Sequence, residues 1–480
     1  METILCKEGY LVPKTPKYND LINIMKNELT VEPAITCKFG KKDPNARFTV
    51  YQENDNYVCV PKYYGIKKCG IPDINKEIVG AKIKIKFKGK LRPDQKIVMD
   101  LVTKHMKEKD GGVLCLGCGK GKTTDSLYYI CKEKKKALVI VHKTFLLNQW
   151  VERAQQFTDA KIGIIQQNKI DIEGKDIVIG MLQSIAKEKY DSEIFKDFGI
   201  VIFDEAHHAP SKYFSRALPL IACKKTIGLS ATPKRNDKLE KVLYWYFGDI
   251  MYKEDAAQNE TVLVNIINYT IEHEKFKEYK MYTGDVNRPK TINKITTIGR
   301  RNKFIIDMLI KVVTENPKRK VLVLSDRIEH LNTMKKRLNS LNNIITSDFY
   351  IGGMKQKDLK VSETCQVIFA SYSMAAEALD IPALNTLFMV TSRREVEQAV
   401  GRIIRKIDPL VRPTIYDFTD MLPSFVRQCN NRIKLYKKMG FEIKTIEVKE
   451  NEIIGESEVT YNSNKNEDII ETDGKVEFLD

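Results

Sequence analysis

Residues 112–124, GVLCLGCGKGKTT, constrain this chain more than any other stretch. Val113, Leu114, Cys115 and Leu116 read as the end of a short buried strand. Gly117, Gly119 and Gly121 crowd a tight loop with Cys118 and Lys120, and Lys122, Thr123 and Thr124 open a helix through Leu127, Tyr128 and Ile130. A strand, a glycine loop and a helix in that order make a phosphate cradle. Glycine lets backbone N–H groups turn inward, the helix N-terminus adds positive potential, and lysine reaches the outer phosphates. Thr123 is placed to hold Mg²⁺ through its hydroxyl. The strict pattern G-x-x-x-x-G-K-[ST] has Leu116 at its first glycine position, while Gly119-x-Gly121-Lys122-Thr123 is intact. A glycine-rich turn with no ligand is the competing reading.

A chain of 480 residues has room for about three domains. Its charge is uneven. Residues 446–480 hold 11 acidic and 3 basic side chains, a net of −8, which leaves +25 on the first 445 residues against +17 for the whole. A body that basic suits a polyanion, most often nucleic acid. No apolar run approaches the roughly 18 residues of a membrane span, and the first residues, METILCKEGYLVPK, do not resemble a signal peptide. The ten cysteines are scattered, as in a reducing intracellular compartment such as cytoplasm or nucleus. Cys115 and Cys118 form a CxxC with no second pair to complete a zinc set.

Residues 1–88 show apolar/polar alternation and read as a small β-rich or mixed accessory domain. The segment 82–90, KIKIKFKGK, predicts a strand with one lysine face. From 89 to 255, short apolar runs at 137–141, 162–165, 177–179, 200–203 and 226–229 alternate with helical segments. A polar region over 252–290 separates the halves, and the alternation restarts at 321–324, 367–369, 386–390 and 414–416. Helices fit at 95–106, 327–341, 396–404 and 423–439. This is an α/β chain with two successive doubly wound parallel sheets, at 89–255 and 256–445. Residues 446–480 are acidic and poor in aromatics and predict a disordered tail.

Residues 200–208, IVIFDEAHH, deliver two carboxylates at the end of a buried strand, 82 residues after Lys122. Ligands of parallel sheets gather at such edges. Asp204 is placed to hold Mg²⁺ through water, and Glu205 to orient and deprotonate an attacking water. Ser230 and Thr232 follow the next strand and could hydrogen-bond this acidic motif. On a helix over 396–404, Gln398, Arg402 and Arg405 would share one face, where arginines can stabilise a transferring phosphoryl group. A solvated basic face is the alternative.

Taken together, Gly119–Thr123, DEAH at 204–207, SAT at 230–232 and QAVGRIIR at 398–405 resemble motifs I, II, III and VI of the superfamily 2 helicases, in the family's order over about residues 90–420. LRPDQ at 91–95, LCLGCGKGK at 114–122, GLSATPKRND at 228–237 and FLLNQW at 145–150 are most similar to the XPB/UvsW-type DNA helicases and their relatives in large DNA viruses, including the transcript-release type of poxviruses.

The resemblance implies two RecA-like domains that use ATP and Mg²⁺ with a single nucleic-acid strand. It puts Arg92 and Gln95 on the adenine, Gly117, Cys118, Gly119, Lys120, Gly121, Lys122, Thr123 and Thr124 around the phosphates, and Thr123 with Asp204 on the metal. It makes Lys122, Asp204, Glu205, Gln398, Arg402 and Arg405 catalytic, and gives His207, Ser230 and Thr232 the coupling of hydrolysis to strand movement. Segments 141–150, 183–184, 324–326 and 370–380 would line the strand path. Glu377-Ala-Leu-Asp380 departs from the family by lacking a glycine there. The implied activity is an ATP-dependent DNA helicase or translocase, in contact with transcription or replication machinery and with no membrane. An RNA-dependent ATPase and a nucleic-acid scaffold with a silent ATPase are the alternatives.

Overall fold

A computed structural model describes residues 1–34, 46–117, 119–187, 190–231, 233–235, 237–254, 262–377, 379, 381–404 and 410–459. The chain divides into two compact units, Met1–Ala256 with Ser373–Asp380, and Ala257–Tyr372 with Ile381–Asp480.

The first unit opens with a small sheet in the order 52–53, 57–60, 10–13, 4–5, 74–75. Helix Lys62–Cys69 lies on it. A Cβ on Gly65 would sit 2.3 Å from Tyr10 Cβ, so only glycine lets the helix approach this closely. The helix then meets Glu240–Phe247 of the following layer, with Tyr64 and Trp245 edge to face at 5.3 Å. The accessory region is therefore packed into the unit through a shared apolar cluster that includes Leu239 and Val242.

The main sheet of this unit has eight strands in the order 169–170, 162–166, 177–181, 137–141, 200–203, 225–230, 111–115, 250–253. Every neighbouring pair is parallel except the short 162–166/169–170 hairpin. Strands 111–115, 137–141, 177–181 and 200–203 are buried at every residue. Helices cover both faces, which is why these strands read as continuous apolar runs and not as alternation. Each fully buried Val, Ile or Leu contributes roughly 1.5–3 kcal/mol.

Residues 82–90 do alternate as expected, with Ile83 and Ile85 buried and the lysines exposed. They form no strand, however. Only single bridges join Lys82 to Lys135 and Phe87 to Thr158. The segment is an extended strap whose apolar side packs into the core of the main sheet, with Phe87 edge to face on Tyr128 at 5.5 Å. Its partners are helix and loop residues, which offer no ladder to join.

The second unit is built on another eight-stranded sheet, in the order 347–350, 367–371, 321–325, 386–389, 414–420, 263–270, 442–449, 452–459. Three of these strands correct the sequence expectations. Leu263–Thr270 lies within the polar stretch read as a separator, yet it pairs in parallel along its length with both 414–420 and 442–449. Its asparagines hid it. Asn265 is buried, and Asn268 Nδ2 donates to Glu447 Oε1 at 2.6 Å. The acidic stretch after 446 is likewise structured up to Val459, where Glu442–Lys449 and Glu452–Val459 form an antiparallel hairpin at the sheet edge. Composition signalled disorder, but 442–449 pairs with 263–270 and 452–459 pairs back onto 442–449. Residues 460–480 lie outside the described residues.

The core of this unit contains charge. Arg301 Nη2 donates to Asp420 Oδ2 at 2.9 Å and to the Val390 carbonyl at 2.9 Å. Arg432 pairs in a fork with Asp417 at 2.7 Å on both arms, and Tyr436 OH donates to the same carboxylate at 2.9 Å. His330 lies between Ser325 Oγ at 3.1 Å and Asn302 Oδ1 at 3.0 Å. Burial, aided by the Arg301 charge, pushes its pKa well below the usual histidine value. The native state thus resists protonating His330, while the unfolded chain takes a proton near pH 6.5. Stability is complete above that pH and falls below it by about 1.4 kcal/mol per pH unit for this one group. Urea unfolding of the parent and of His330→Asn at pH 7.5 and 5.5 should show a smaller acid loss in the variant. Parallel losses would clear His330 of this role.

Candidate active site

Four parallel strands release their loops at one edge of the first main sheet. Cys115 stands opposite Ser230, Phe203 opposite Gly228, and Phe203 opposite Ile140. The glycine loop, Asp204–Glu205, Ser230 and His142 are thereby gathered at the carboxyl ends of the strands, the edge where open α/β sheets bind ligands.

The loop has the form the sequence requires. Gly119 and Gly121 take φ of 76° and 94°. The positive φ favours glycine at 121, and a Cβ there would lie 2.3 Å from Gln95 Nε2 and displace that amide from Asp125. Helix Lys122–Glu133 starts immediately after, with Thr123 and Thr124 in its first turn. Lys122 Nζ donates to the carbonyl of Leu116 at 2.9 Å and faces that of Gly117 at 3.5 Å. The Gly117 N–H donates to Glu254 Oε2 at 3.2 Å, and Lys120 pairs with Glu254 at 2.8 Å. Arg92 Nη2 donates to the Lys120 carbonyl at 2.9 Å. Gln95 accepts from the Arg92 N–H at 3.1 Å and donates to Asp125 Oδ1 at 2.7 Å. Burial pushes the Asp125 carboxyl up to about 7, with the Gln95 bond pulling the other way. Cys118 lies outside the described residues.

The acidic turn is tightly held. Glu205 takes φ 49°, ψ 53°, a left-handed conformation that costs a non-glycine residue roughly 1–3 kcal/mol and clusters at functional sites. Asp204 is buried. Trp150 Nε1 donates to its Oδ2 at 2.8 Å and the Glu205 N–H to its Oδ1 at 3.1 Å. Burial and the neighbouring Glu205 raise the Asp204 pKa, while the Trp150 bond and the Lys122 charge oppose the rise. Two adjacent buried carboxylates suit a cation, and oxygen donors of this kind are the ones Mg²⁺ takes.

His207 Nδ1 lies 3.2 Å from Ser230 Oγ and 3.3 Å from Glu205 Oε2. The His208 ring sits 4.3 Å from His207 and 4.1 Å from His142. The Gln183 amide donates to the His142 carbonyl. From the other side, the Arg235 guanidinium donates to the His207 carbonyl and pairs with Asp237, Nε to Oδ1 at 2.8 Å. Thr232 lies outside the described residues.

Several sequence-stretch expectations change here. Trp150, placed among the strand-path residues, is turned inward onto Asp204 and is 1% exposed. Nothing in the spacing of residues 150 and 204 signals that contact. Asp125 and Glu254 were not singled out at all, and Asp125 was traceable only as an acid in the first turn after the loop. In the second unit the helix meant to carry Gln398, Arg402 and Arg405 on one face is only Glu397–Val400. Gly401 is a poor helix residue, and the chain tightens into turns, Arg402 N–H to Ala399 O at 3.1 Å and Ile403 N–H to Val400 O at 3.2 Å. Gln398 is half-buried and Arg402 buried. Arg405, Ala378 and Asp380 lie outside the described residues. Ser325 is spent on His330, and Asp326 pairs with Arg393 at 2.8 Å.

Residues 88–235 match the family model described as "Type III restriction enzyme, res subunit". A protein of Acanthamoeba polyphaga mimivirus, named as ATP-dependent RNA helicase L396, is 36% identical over 462 residues, 94% of this chain and 88% of that one. The chain belongs to the superfamily 2 helicases. A helicase of Escherichia phage T5, named D10, is 27% identical over 339 residues, 68% of this chain and 72% of its own. The solved fragment of an HsdR subunit of a type I restriction enzyme from Vibrio vulnificus YJ016 shares the fold, with a TM-score of 0.54 at 16% identity over 77% of this chain and 71% of that chain. Superfamily 2 helicases are ATP-using enzymes that act on nucleic acid, and both large sheets described above are the α/β layers of the tandem RecA-like fold. Among the described residues no helix is long and apolar enough to cross a membrane.

Proposed function

We propose that this helicase hydrolyses ATP with Mg²⁺ and uses the cycle to move along or unwind DNA. The observation that carries the reading is the buried Asp204–Glu205 pair, set at the same sheet edge as Lys122 and its glycine loop. Lys122 leaves its carbonyl partners to meet the outer phosphates, and backbone N–H groups of the glycine loop would hold the rest. A magnesium ion, held by Thr123 and Asp204, would offset charge between the outer phosphates. Glu205, its backbone fixed in a left-handed turn, orients water and takes its proton. His207 stands between Glu205 and Ser230 and so senses that step. Gln398, Arg402 and Arg405 are assigned to the transferring phosphoryl group by resemblance.

Trp150 is a positioning residue in this scheme. Trp150→Phe keeps the ring but removes a charge-assisted bond worth about 1.5–3 kcal/mol. The kcat for ATP should fall roughly 10- to 100-fold with KM for ATP little changed, while the unfolding midpoint drops by several degrees because a buried bond and part of a core ring are lost. A parent-like kcat would show that the indole only fills space.

The basic excess of the first 445 residues supports a sequence-tolerant grip on phosphates whose affinity falls steeply with salt. Movement requires that the nucleotide states differ in affinity for the strand, since a ligand shifts conformation only through such a difference. The XPB/UvsW-like motifs favour DNA, in a viral transcription, replication or repair setting. RNA is the second reading, because the mimivirus relative is named for it. The test is ATP hydrolysis by the full chain alone, with single-stranded DNA, with duplex DNA and with RNA. Stimulation by DNA supports the motor as proposed. Stimulation by RNA alone replaces the substrate, and no hydrolysis under any condition defeats the reading.

A further inference from the structure

The second unit contains a cavity that none of the helicase motifs uses. It has a volume of about 500 Å³ and lies between the loop before helix Arg288–Ile295, the loop after strand Thr386–Met389, and the first turns of helix Pro423–Lys438. Arg288, Arg394 and Arg427 line it, and Asp285 is the one carboxylate in the lining. The Asp285 carboxylate already accepts from the Thr283 hydroxyl at 3.0 Å. None of the three arginines has an ion-pair partner among the described residues, whereas five others of this unit do. Arg300, Arg301, Arg393, Arg412 and Arg432 are all paired with carboxylates. Three guanidiniums line one cavity against a single carboxylate, and the net positive charge that remains suits an anion.

A second observation points the same way. Ser424 lines the cavity, is 7% exposed, and its Oγ is buried with no hydrogen-bond partner. A buried hydroxyl left unmade costs about 1–3 kcal/mol, and a phosphate oxygen would satisfy it. The helix dipole is not the attraction, because Glu278 already accepts from the Ser424 N–H at 2.6 Å. The walls are firm. Arg432, locked on Asp417, donates to the Arg393 carbonyl at 2.7 Å and so fixes the backbone from which Arg394 projects. Gln428, also in the lining, is bonded to Ser392 at 2.8 Å.

We propose that this cavity binds phosphate, and that its occupant is a backbone phosphate of the nucleic-acid strand, taken by Arg288, Arg394 and Arg427 with the Ser424 hydroxyl. The planar guanidinium fork matches phosphate oxygens two at a time, which a lysine patch does not. The assignment rests on the nucleic-acid reading above, and it gives the second unit a fixed grip made of arginines outside the helicase motifs.

The experiment uses the full chain and a fluorescein-labelled 20-nucleotide single strand, as DNA and as RNA, with binding followed by anisotropy from 50 to 300 mM salt. The site variant is Arg394→Gln/Arg427→Gln. The charge control is Lys303→Gln/Lys311→Gln, two exposed positions on helix Gly299–Glu315. The site variant should weaken binding at least about tenfold and lower the slope of log K against log salt by about 1–2, the change expected for one or two lost phosphate contacts. The control should move both far less, and Ser424→Ala should weaken binding without changing the slope. Equal effects of site variant and control, or no effect of either, overturn the proposal. To separate its failure from that of the nucleic-acid reading, pyrophosphate is titrated against unfolding temperature in a Lys122→Ala background, which silences the phosphate loop. If the parent binds no strand but pyrophosphate stabilises it only when Arg394 and Arg427 are present, the nucleic-acid reading fails and the occupant is a free phosphate. If neither ligand depends on the arginines, the site itself is refuted.

Discussion

Lys122→Ala should lower ATP turnover at least about 10³-fold, a loss of roughly 4 kcal/mol in transition-state stabilisation. The ammonium acts on the buried Asp204 carboxylate through its charge and lies 2.9 Å from the Leu116 carbonyl at the mouth of the loop. Alanine removes the charge that meets the outer phosphates. It also leaves Asp204 and Glu205 facing a triphosphate with less compensation, so the two effects add. The side chain is only half-buried, and strand 111–115 that leads into the loop is buried at every residue without its help, so the fold should survive. Phosphate release under single-turnover conditions, beside an unfolding curve, separates the two effects. A rate within tenfold of the parent, from a folded variant, would place the phosphate chemistry elsewhere.

Arg432→Met should be the most destabilising single change in the second unit. Arg432 and Asp417 are each 1% exposed, and the fork between them is supported by Tyr436. Removing one partner of a buried pair typically costs 3–5 kcal/mol, about that much here, because the other is left charged in a dry interior. For a unit near 200 residues that is a fall of about 10 °C or more in its unfolding midpoint. Arg432→Met/Asp417→Leu removes both charges and should recover much of the loss, since well-packed apolar groups can replace such pairs. A single variant as stable as the parent would mean that the pair contributes little.

The two α/β layers were legible because burial on both faces writes itself as unbroken apolar runs such as 137–141 and 321–325. Position after such a strand also made Asp204, Glu205 and the glycine loop legible. What failed was whatever depended on a partner far along the chain. Leu263–Thr270 carries two asparagines, of which Asn268 is bonded to distant Glu447, so its polarity read as a linker. The strap at 82–90 has the alternation of a strand but no neighbour with free backbone groups. The 397–400 helix stops at a glycine that periodicity ignores. Trp150 reaches Asp204 across 54 positions, and no local pattern encodes that. The arginine cavity has the same character, since its three guanidiniums come from three separate segments.

The hairpin that closes the second sheet bears on self-association. Glu452–Val459 is the outermost strand, with Ile453 and Ile454 exposed at 51% and 65%. An open edge with apolar side chains is a template on which another chain can add a strand. Glu452 and Glu456 stand exposed on the same strand, and two such edges brought together would set carboxylates against carboxylates. The acidic composition that suggests a tail thus disfavours strand addition at this edge by a second copy of the same chain.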